Sequence, residues 1–143
     1  MSTQNRTLSK RWYDEVWNDR RDESVDEIMC PDAVGHTEQG EMIGLDPFKQ
    51  IRAQYLSAFP DLKFEIEAMI SEGDQVAVRW LATGTHTGSP LAGAQPCGRT
   101  IKVRGTTWHR YENGVMVEGW DTWNLGALMQ HVQEPPLQET PAE

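Results

Sequence analysis

The feature that most constrains this chain is a change in hydrophobic periodicity at Leu62. Before Leu62, apolar residues recur at the spacing of one helical face. The first such stripe consists of Leu8, Trp12, Tyr13, Val16 and Trp17. From Leu62 onward, apolar and charged residues alternate, as they do in a half-buried strand. This order predicts helices followed by a sheet, which is an α+β fold.

Three helices are predicted in the first part of the chain. The first ends near Asn18, and a short second helix ends at Pro31, because proline disfavours helical geometry in the residue before it. The third begins at Asp46, whose carboxylate can accept hydrogen bonds from the free amides of a helix start, and it ends before Pro60. The segment 33–37 between the second and third helices is too short to assign.

Four strands are predicted after the helices, over 62–70, 76–88, 101–112 and 115–123. The segment 88–99 is rich in Gly and Pro and forms a loop. Asn113 and Gly114 supply the positive φ values of a type I′ turn, so the last two strands form a hairpin.

The hairpin predicts which side chains share a face. A two-residue loop places Glu112 opposite Val115, and side chains then alternate with a period of two. In this register, Trp108 lies opposite Gly119 and beside Asp121, which leaves an apolar hollow next to the carboxylate. A desolvated carboxylate has a raised pKa and suits general acid or base catalysis near neutral pH. An Asp near a strand end is more often solvated or turn-capping, so this alternative stays open.

The spacing of the other polar residues is explained by structural roles. His109 is predicted opposite Glu118 as an ordinary cross-strand pair, and Arg79 could simply form an ion pair. His36 and His86 follow no metal-ligand spacing, so no bound metal is expected. The sequence contains no Walker loop and no G-x-G-x-x-G, so no cofactor is expected.

Length and charge narrow the class of protein. The 143 residues suit one domain, predicted over 1–134 with a disordered, proline-rich acidic tail at 135–143. A net charge of −9 makes nucleic acid and anionic membranes unfavourable partners. Apolar runs reach only three residues, which excludes a membrane span, and the N-terminal residues lack a secretory apolar region, which favours the cytoplasm.

The order of elements, EGDQVAVRWLATGTHTG and YENGVMVEGWDTWN closely resemble the SnoaL-like polyketide cyclases of the nuclear transport factor two superfamily. The match extends over about residues 5–132, and Glu118, Trp120 and Asp121 form its most specific motif. The resemblance implies a cystatin-like α+β cone. In it, N-terminal helices pack on a strongly curved antiparallel sheet and enclose a deep hydrophobic pocket. It also implies a homodimer formed largely through the sheet.

The resemblance further implies a cofactor-independent cyclase or isomerase that acts on a hydrophobic carbonyl compound. Asp121 would remove an acidic carbon-bound proton, and the enolate would close a ring by intramolecular aldol addition. His36 is expected either to orient a substrate carbonyl or to satisfy a loop. The helical stripes, the strand alternation and the resemblance together predict a substrate-binding wall of Trp12, Tyr13, Tyr55, Phe59, Arg79, Trp108 and Trp123.

Two departures from the family pattern affect the predicted reaction. Many relatives carry His at the position of Gly119, so a proton relay through that position is missing here. Leu81 stands where limonene-epoxide-hydrolase relatives carry an Asp, which makes epoxide hydrolysis a minor alternative. A non-catalytic small-molecule binding protein of the same fold is the main alternative. The carboxylate separates the two classes, because a binding protein could keep the aromatic walls with Asn at position 121, whereas an enzyme could not.

Overall fold

The computed structural model describes residues 2–124 and 127–130, and within them it confirms the α+β fold. Helices pack on a curved six-stranded sheet. The helices are α1 (Ser2–Arg11), α2 (Asp22–Ile28) and α3 (Leu45–Ala58), and the strands are β1 (Met29–Thr37), β2 (Gly40–Ile43), β3 (Lys63–Glu72), β4 (Gln75–Thr85), β5 (Thr100–Glu112) and β6 (Val115–Trp123). The predicted tail at 135–143 lies outside the described residues. No helix in the described part of the chain is long and apolar enough to cross a membrane.

The sheet has the strand order β2-β1-β6-β5-β4-β3. Neighbouring strands are antiparallel except β1 and β6, which run parallel. The unassigned segment 33–37 is the second half of β1. Pro31 is tolerated in this strand because the pairing with β6 is irregular between Met29 and Val34.

The first predicted helix consists of two segments, α1 and a π-helix that follows it directly. A π-helix continues over Trp12–Asn18, and the amide of Asp19 donates to the carbonyl of Asp14 at 2.9 Å. Such i→i+5 bonds widen the turn, which brings neighbouring residues to the same face. The four buried residues of this segment are Trp12, Tyr13, Val16 and Trp17. The predicted helix end near Asn18 is confirmed, and the last seven residues of this helix have π-helical winding.

A buried arginine on α3 holds the end of this helix in place. The Nε of Arg52 donates to the carbonyl of Val16 at 2.9 Å, and its Nη1 donates to the carboxylate of Asp22 at 2.7 Å. The aromatic residues of the π-helix are therefore fixed against the sheet by a bond from the neighbouring helix.

The hairpin of β5 and β6 begins as predicted. Asn113 and Gly114 have φ values of 51° and 80°, and Glu112 lies opposite Val115. Only a few residues tolerate positive φ at both central positions of a turn, and Asn followed by Gly is the preferred pair. The turn therefore has the geometry that its sequence predicts.

The register of this hairpin shifts by one residue at Val117. Tyr111 lies opposite Met116, but the next pair is Arg110 with Glu118, so Val117 has no partner on β5. An extra residue of this kind is a β-bulge, and it reverses the face on which all later side chains of the strand lie relative to the partner. The prediction of an uninterrupted register is therefore wrong beyond the first two pairs.

Candidate active site

A cavity lies between the helices and the inner face of the sheet. It offers about 150 Å³, similar to an apolar protein cavity of about 150 Å³ that accepts benzene. Its wall includes five of the predicted substrate-binding residues, Trp12, Tyr13, Tyr55, Phe59 and Trp123. Asp121 also lines the cavity, so the structure brings these six side chains together. Their roles in binding and catalysis stay predictions.

Trp108 and Arg79 do not reach the cavity, so the prediction that they form its wall is wrong. Because of the bulge at Val117, Trp108 lies opposite Trp120 on the outer face of the sheet, where it is 47% exposed. The side chain of Arg79 is 62% exposed, and its Nε lies 4.0 Å from the carboxylate of Glu67. On β5 the inward side chains are Thr107 and His109, on either side of Trp108, and on β4 they are Val78 and Trp80, on either side of Arg79.

His36 also lies away from Asp121, so the structure does not bring the two predicted catalytic residues together. The Nε2 of His36 is 2.7 Å from the carboxylate of Glu118, and its ring stacks on Trp120 at 5.3 Å. The hydrogen bond with His36 is the main reason that the pKa of Glu118 is lowered. His36 is thus bound to Glu118, which borders the cavity, and to the outward ring of Trp120, and is not itself part of the cavity wall.

Asp121 is held at one of its two carboxylate oxygens. The hydroxyl of Thr107 donates to Oδ1 of Asp121 at 2.7 Å, and the indole Nε1 of Trp80 donates to the hydroxyl of Thr107 at 2.9 Å. An indole N–H can only donate, so the proton of Thr107 is directed toward the carboxylate. The other oxygen, Oδ2, has no hydrogen-bond partner among residues 2–124 and 127–130.

A glycine makes room for the indole that starts this chain of hydrogen bonds. A Cβ atom at Gly105 would lie 2.4 Å from the ring of Trp80, closer than two carbon atoms can approach. The ring of Trp80 therefore crosses the sheet above Gly105 and reaches Thr107 on the same strand. Sequence reasoning did not identify Trp80 or Thr107 as site residues, although the alternation of Val76, Val78 and Trp80 places all three on the buried face.

Burial raises the pKa of Asp121, and the hydrogen bond from Thr107 opposes part of that rise. The pKa values of Tyr13 and Tyr55 are also raised, first by burial and then by the negative charge of Asp121. Both phenols therefore keep their protons near neutral pH and remain possible hydrogen-bond donors. The site combines one carboxylate that can accept a proton with neutral donors beside it.

His109 lines the same cavity, contrary to the prediction that it pairs with Glu118 on the face opposite Asp121. It lies opposite Gly119 and is only 2% exposed. Its Nδ1 is 3.1 Å from the hydroxyl of Ser9 on α1, which is 2.7 Å from the hydroxyl of Tyr111. Burial lowers the pKa of His109 to about 3, so its imidazole is neutral near neutral pH. The regular alternation of His109 and Tyr111 along β5 is the sequence signal for this inward position.

Metal-binding groups do not cluster in the described residues. Within residues 2–124 and 127–130, no three His, Cys, Asp or Glu side chains are arranged to hold a metal ion. Asp121 and His109 each bond to a neutral hydroxyl group instead, on Thr107 and Ser9 respectively.

Comparison with known proteins identifies a family for this chain. The model of the SnoaL-like polyketide cyclases matches residues 7–132. No curated protein matches the sequence. The family match extends over both helices and sheet, and it includes every residue that lines the cavity.

Solved structures with the same fold carry different functional descriptions. A candidate SnoaL-like polyketide cyclase from Jannaschia sp. CCS1 is 26% identical and has a TM-score of 0.87 over 94% of this chain and 95% of that chain. AclR, a candidate hydroxylase from Streptomyces galilaeus, is 27% identical with a TM-score of 0.83 over 97% of this chain and 91% of that chain. IdmH, a candidate polyketide cyclase from Streptomyces antibioticus, is 23% identical with a TM-score of 0.77 over 90% of this chain and 97% of that chain, which shows the shared fold.

The raised pKa of Asp121 predicts a pH-dependent stability. A folded-state pKa above the unfolded value favours folding below the unfolded pKa, and this contribution is lost as pH rises through the folded pKa. Relative to Asp121→Asn, the free energy of unfolding of the wild type should therefore fall with rising pH by about 1.4 kcal/mol for each unit of pKa shift. Denaturant titrations between pH 4 and pH 8 measure this difference.

The exposed Asp74 provides a matched control for the same chemical change. Asp74→Asn keeps Asp121, so it should retain the fall in stability with rising pH that Asp121→Asn removes. A difference between wild type and Asp121→Asn that stays constant with pH, or that grows in favour of the wild type, would contradict a desolvated Asp121.

Proposed function

Because the chain belongs to the SnoaL-like polyketide cyclase family, we propose that it is a cofactor-independent cyclase or isomerase of hydrophobic carbonyl compounds, with Asp121 as the general base. The observation that carries this proposal is the position of Asp121. Its carboxylate lies in an aromatic cavity, with Oδ1 held by Thr107 and Oδ2 free to meet a substrate.

The proposed reaction begins with proton transfer to Oδ2 of Asp121. The proton leaves a carbon next to a carbonyl group, and the electron pair of the broken C–H bond forms the enolate. The enolate carbon then attacks a second carbonyl carbon of the same molecule and forms the new C–C bond. The resulting alkoxide takes the proton back from Asp121, so substrate and product have the same composition.

The walls of the cavity support such a reaction in two ways. Aromatic side chains such as Trp12 and Trp123 can hold a flexible apolar chain in a folded conformation, which makes the bond-forming step intramolecular. The charge of Asp121 contributes to the raised pKa values of Tyr13 and Tyr55, which places both phenols near the carboxylate. These protonated phenols can donate hydrogen bonds to substrate oxygens. General base catalysis itself contributes about 10²- to 10⁴-fold.

The position of Arg79 weighs against an epoxide hydrolase, although Arg79 and Asp121 can be matched to part of the residue set of that enzyme class. Arg79 is on the outer face of the sheet, whereas Asp121 is in the cavity. Leu81 is half-buried on the same strand as Arg79, at the position where the first Asp of the set would stand. The required groups do not converge.

Deuterium exchange tests the proposed base even when the natural substrate is unidentified. Wild-type protein and Asp121→Asn are incubated in D₂O with a panel of hydrophobic ketones that begins with 1-indanone, and uptake at the carbon next to the carbonyl is followed by mass spectrometry. We expect the wild type to accelerate exchange and the Asn variant to be slower by about 10²- to 10⁴-fold, because Asn cannot accept the proton.

Asp74→Asn should exchange at the wild-type rate, since Asp74 is exposed in the β3–β4 turn. Equal exchange by wild type and Asp121→Asn would show that Asp121 is not the base. Ketones that bind without any acceleration of exchange would favour the non-catalytic binding protein.

We also propose that two copies of this chain pair through the outer face of the sheet. Apolar side chains form a row across neighbouring strands there, in which Ile70, Trp108 and Trp120 are 71%, 47% and 36% exposed. Isolated apolar residues are common on protein surfaces, but an extended row of large ones is typical of an interface. The partner that fits this proposal is a second copy, as the resemblance implies.

Sedimentation equilibrium tests this pairing. The wild type should sediment as a dimer, and Trp108→Glu should sediment as a monomer because it places a charge in the centre of the row. Ile43→Glu is the control, since Ile43 is also apolar and is 66% exposed but lies on the edge strand β2. A monomeric wild type, or a Trp108→Glu dimer of unchanged affinity, would contradict the proposed interface.

A further inference from the structure

His109 presents one edge of its imidazole to the cavity and the other to a buried hydroxyl pair. Nδ1 faces Ser9 and Tyr111, whereas the opposite edge, which carries Cδ2 and Nε2, borders Gly119. A Cβ atom at Gly119 would lie 3.6 Å from Cδ2 of His109. Nε2 makes no hydrogen bond to any residue in the described part of the chain.

The hydroxyl pair decides which ring nitrogen carries the proton. If Tyr111 donates to Ser9 and Ser9 donates to Nδ1, both hydroxyl protons are used, and the ring proton is on Nε2. If Nδ1 carried the proton and donated to Ser9, then Ser9 would donate to Tyr111, and the proton of Tyr111 would have no acceptor in this group. Each arrangement leaves one donor without a protein partner, which is Nε2–H in the first and the phenol of Tyr111 in the second. Nε2–H borders the cavity, where a ligand or water can accept it, whereas Tyr111 is 2% exposed and lies outside the cavity wall. A donor buried away from any acceptor costs more free energy, so the first arrangement is favoured.

Nε2 and Asp121 lie on the same wall of the cavity. His109 pairs with Gly119, and Thr107 pairs with Asp121, one inward position further along the hairpin. Two residues along a strand span about 6.8 Å, which leaves room for a carbonyl group and its neighbouring carbon between the imidazole and the carboxylate. A neutral imidazole can polarise a carbonyl group by donating a hydrogen bond to its oxygen.

We propose that His109 is a catalytic residue that donates a hydrogen bond from Nε2 to the substrate carbonyl oxygen, and that Ser9 and Tyr111 are positioning residues that fix this tautomer. The proposal rests on the proposed function, because it assigns the group that stabilises the enolate formed by Asp121. Proton and charge remain balanced: Asp121 takes the carbon-bound proton, and His109 keeps its own proton while it bonds to the enolate oxygen.

Nitrogen NMR of the ligand-free protein tests the tautomer directly. In wild-type protein labelled with ¹⁵N, we expect His109 to show a protonated Nε2 and an unprotonated Nδ1. Ser9→Ala should reduce this preference, whereas Thr7→Ala, which removes an exposed hydroxyl from the same helix, should not. A wild-type His109 with its proton on Nδ1 would overturn the proposal.

A pair of probes tests contact with a carbonyl group. 1-Indanone and indane share one ring skeleton and differ in the carbonyl oxygen, so the ratio of their affinities reports the hydrogen bond. We expect His109→Phe to reduce the preference for 1-indanone by about two- to tenfold, the net effect of one neutral hydrogen bond. The infrared band of the bound carbonyl should shift toward its position in an apolar solvent, and His109→Gln should restore part of the shift.

Exchange kinetics separate this proposal from the role of Asp121. His109→Phe should slow deuterium exchange of 1-indanone by about 10²- to 10³-fold, as expected for the loss of one donor to an oxyanion. If Asp121→Asn stops exchange but His109→Phe changes neither the rate nor the carbonyl band, His109 is not the donor and the proposed base stands. If His109→Phe changes the carbonyl band while wild type catalyses no exchange, His109 is a binding donor and the proposed function fails.

Discussion

The extra residue at Val117 determines which side chains of the last hairpin meet the cavity. A strand shows opposite faces at successive residues, so one unpaired residue moves the whole remaining strand to the other face relative to its partner. Asp121 and Gly119 consequently share a face with Thr107 and His109 rather than with Trp108. The aromatic face of the first helix and the side chains of α3 enclose a cavity against this wall. The bulge places the carboxylate of Asp121 and the imidazole of His109 in that cavity.

The cavity has few polar groups, and their hydrogen bonds give each a distinct protonation state. Trp80 can only donate, so Thr107 presents its proton to Asp121, which is the arrangement that a carboxylate requires. Ser9 presents its proton to the imidazole of His109, which leaves the other ring nitrogen as the donor. An acceptor and a donor thus stand side by side in surroundings where each electrostatic interaction is stronger than in water.

Local sequence patterns predict much of the fold, because interactions between residues close in sequence determine where most of the helices, turns and strands form. The helix over Leu45–Ala58, the Asn113–Gly114 turn and the alternating strands follow from propensities that act over a few residues. Strand β1 was not predicted, since it depends on parallel pairing with β6, more than 80 residues away in several pairs. The bulge was not predicted because Val117 is as suitable for a regular strand as for an irregular one.

The site residues that follow from local patterns were predictable, whereas the residue that depends on the strand register was not. Asp121, Tyr13 and Trp123 were identified from stripes, alternation and resemblance, and they line the cavity. An uninterrupted register places His109 opposite Glu118, on the face that does not carry Asp121. The hydrogen bond of His109 joins α1 to β5 across 100 positions of the sequence, and no local pattern reports such a contact.

A crystal structure of the protein with 1-indanone tests the central claim, that the inward face of the bulged hairpin carries both an acceptor and a donor for one carbonyl compound. The account predicts the ketone oxygen within about 3.2 Å of Nε2 of His109, with its neighbouring CH₂ group against Oδ2 of Asp121. It also predicts Trp108 outside the cavity. A ketone bound with its oxygen turned away from His109 and its CH₂ group remote from Asp121 would contradict the account.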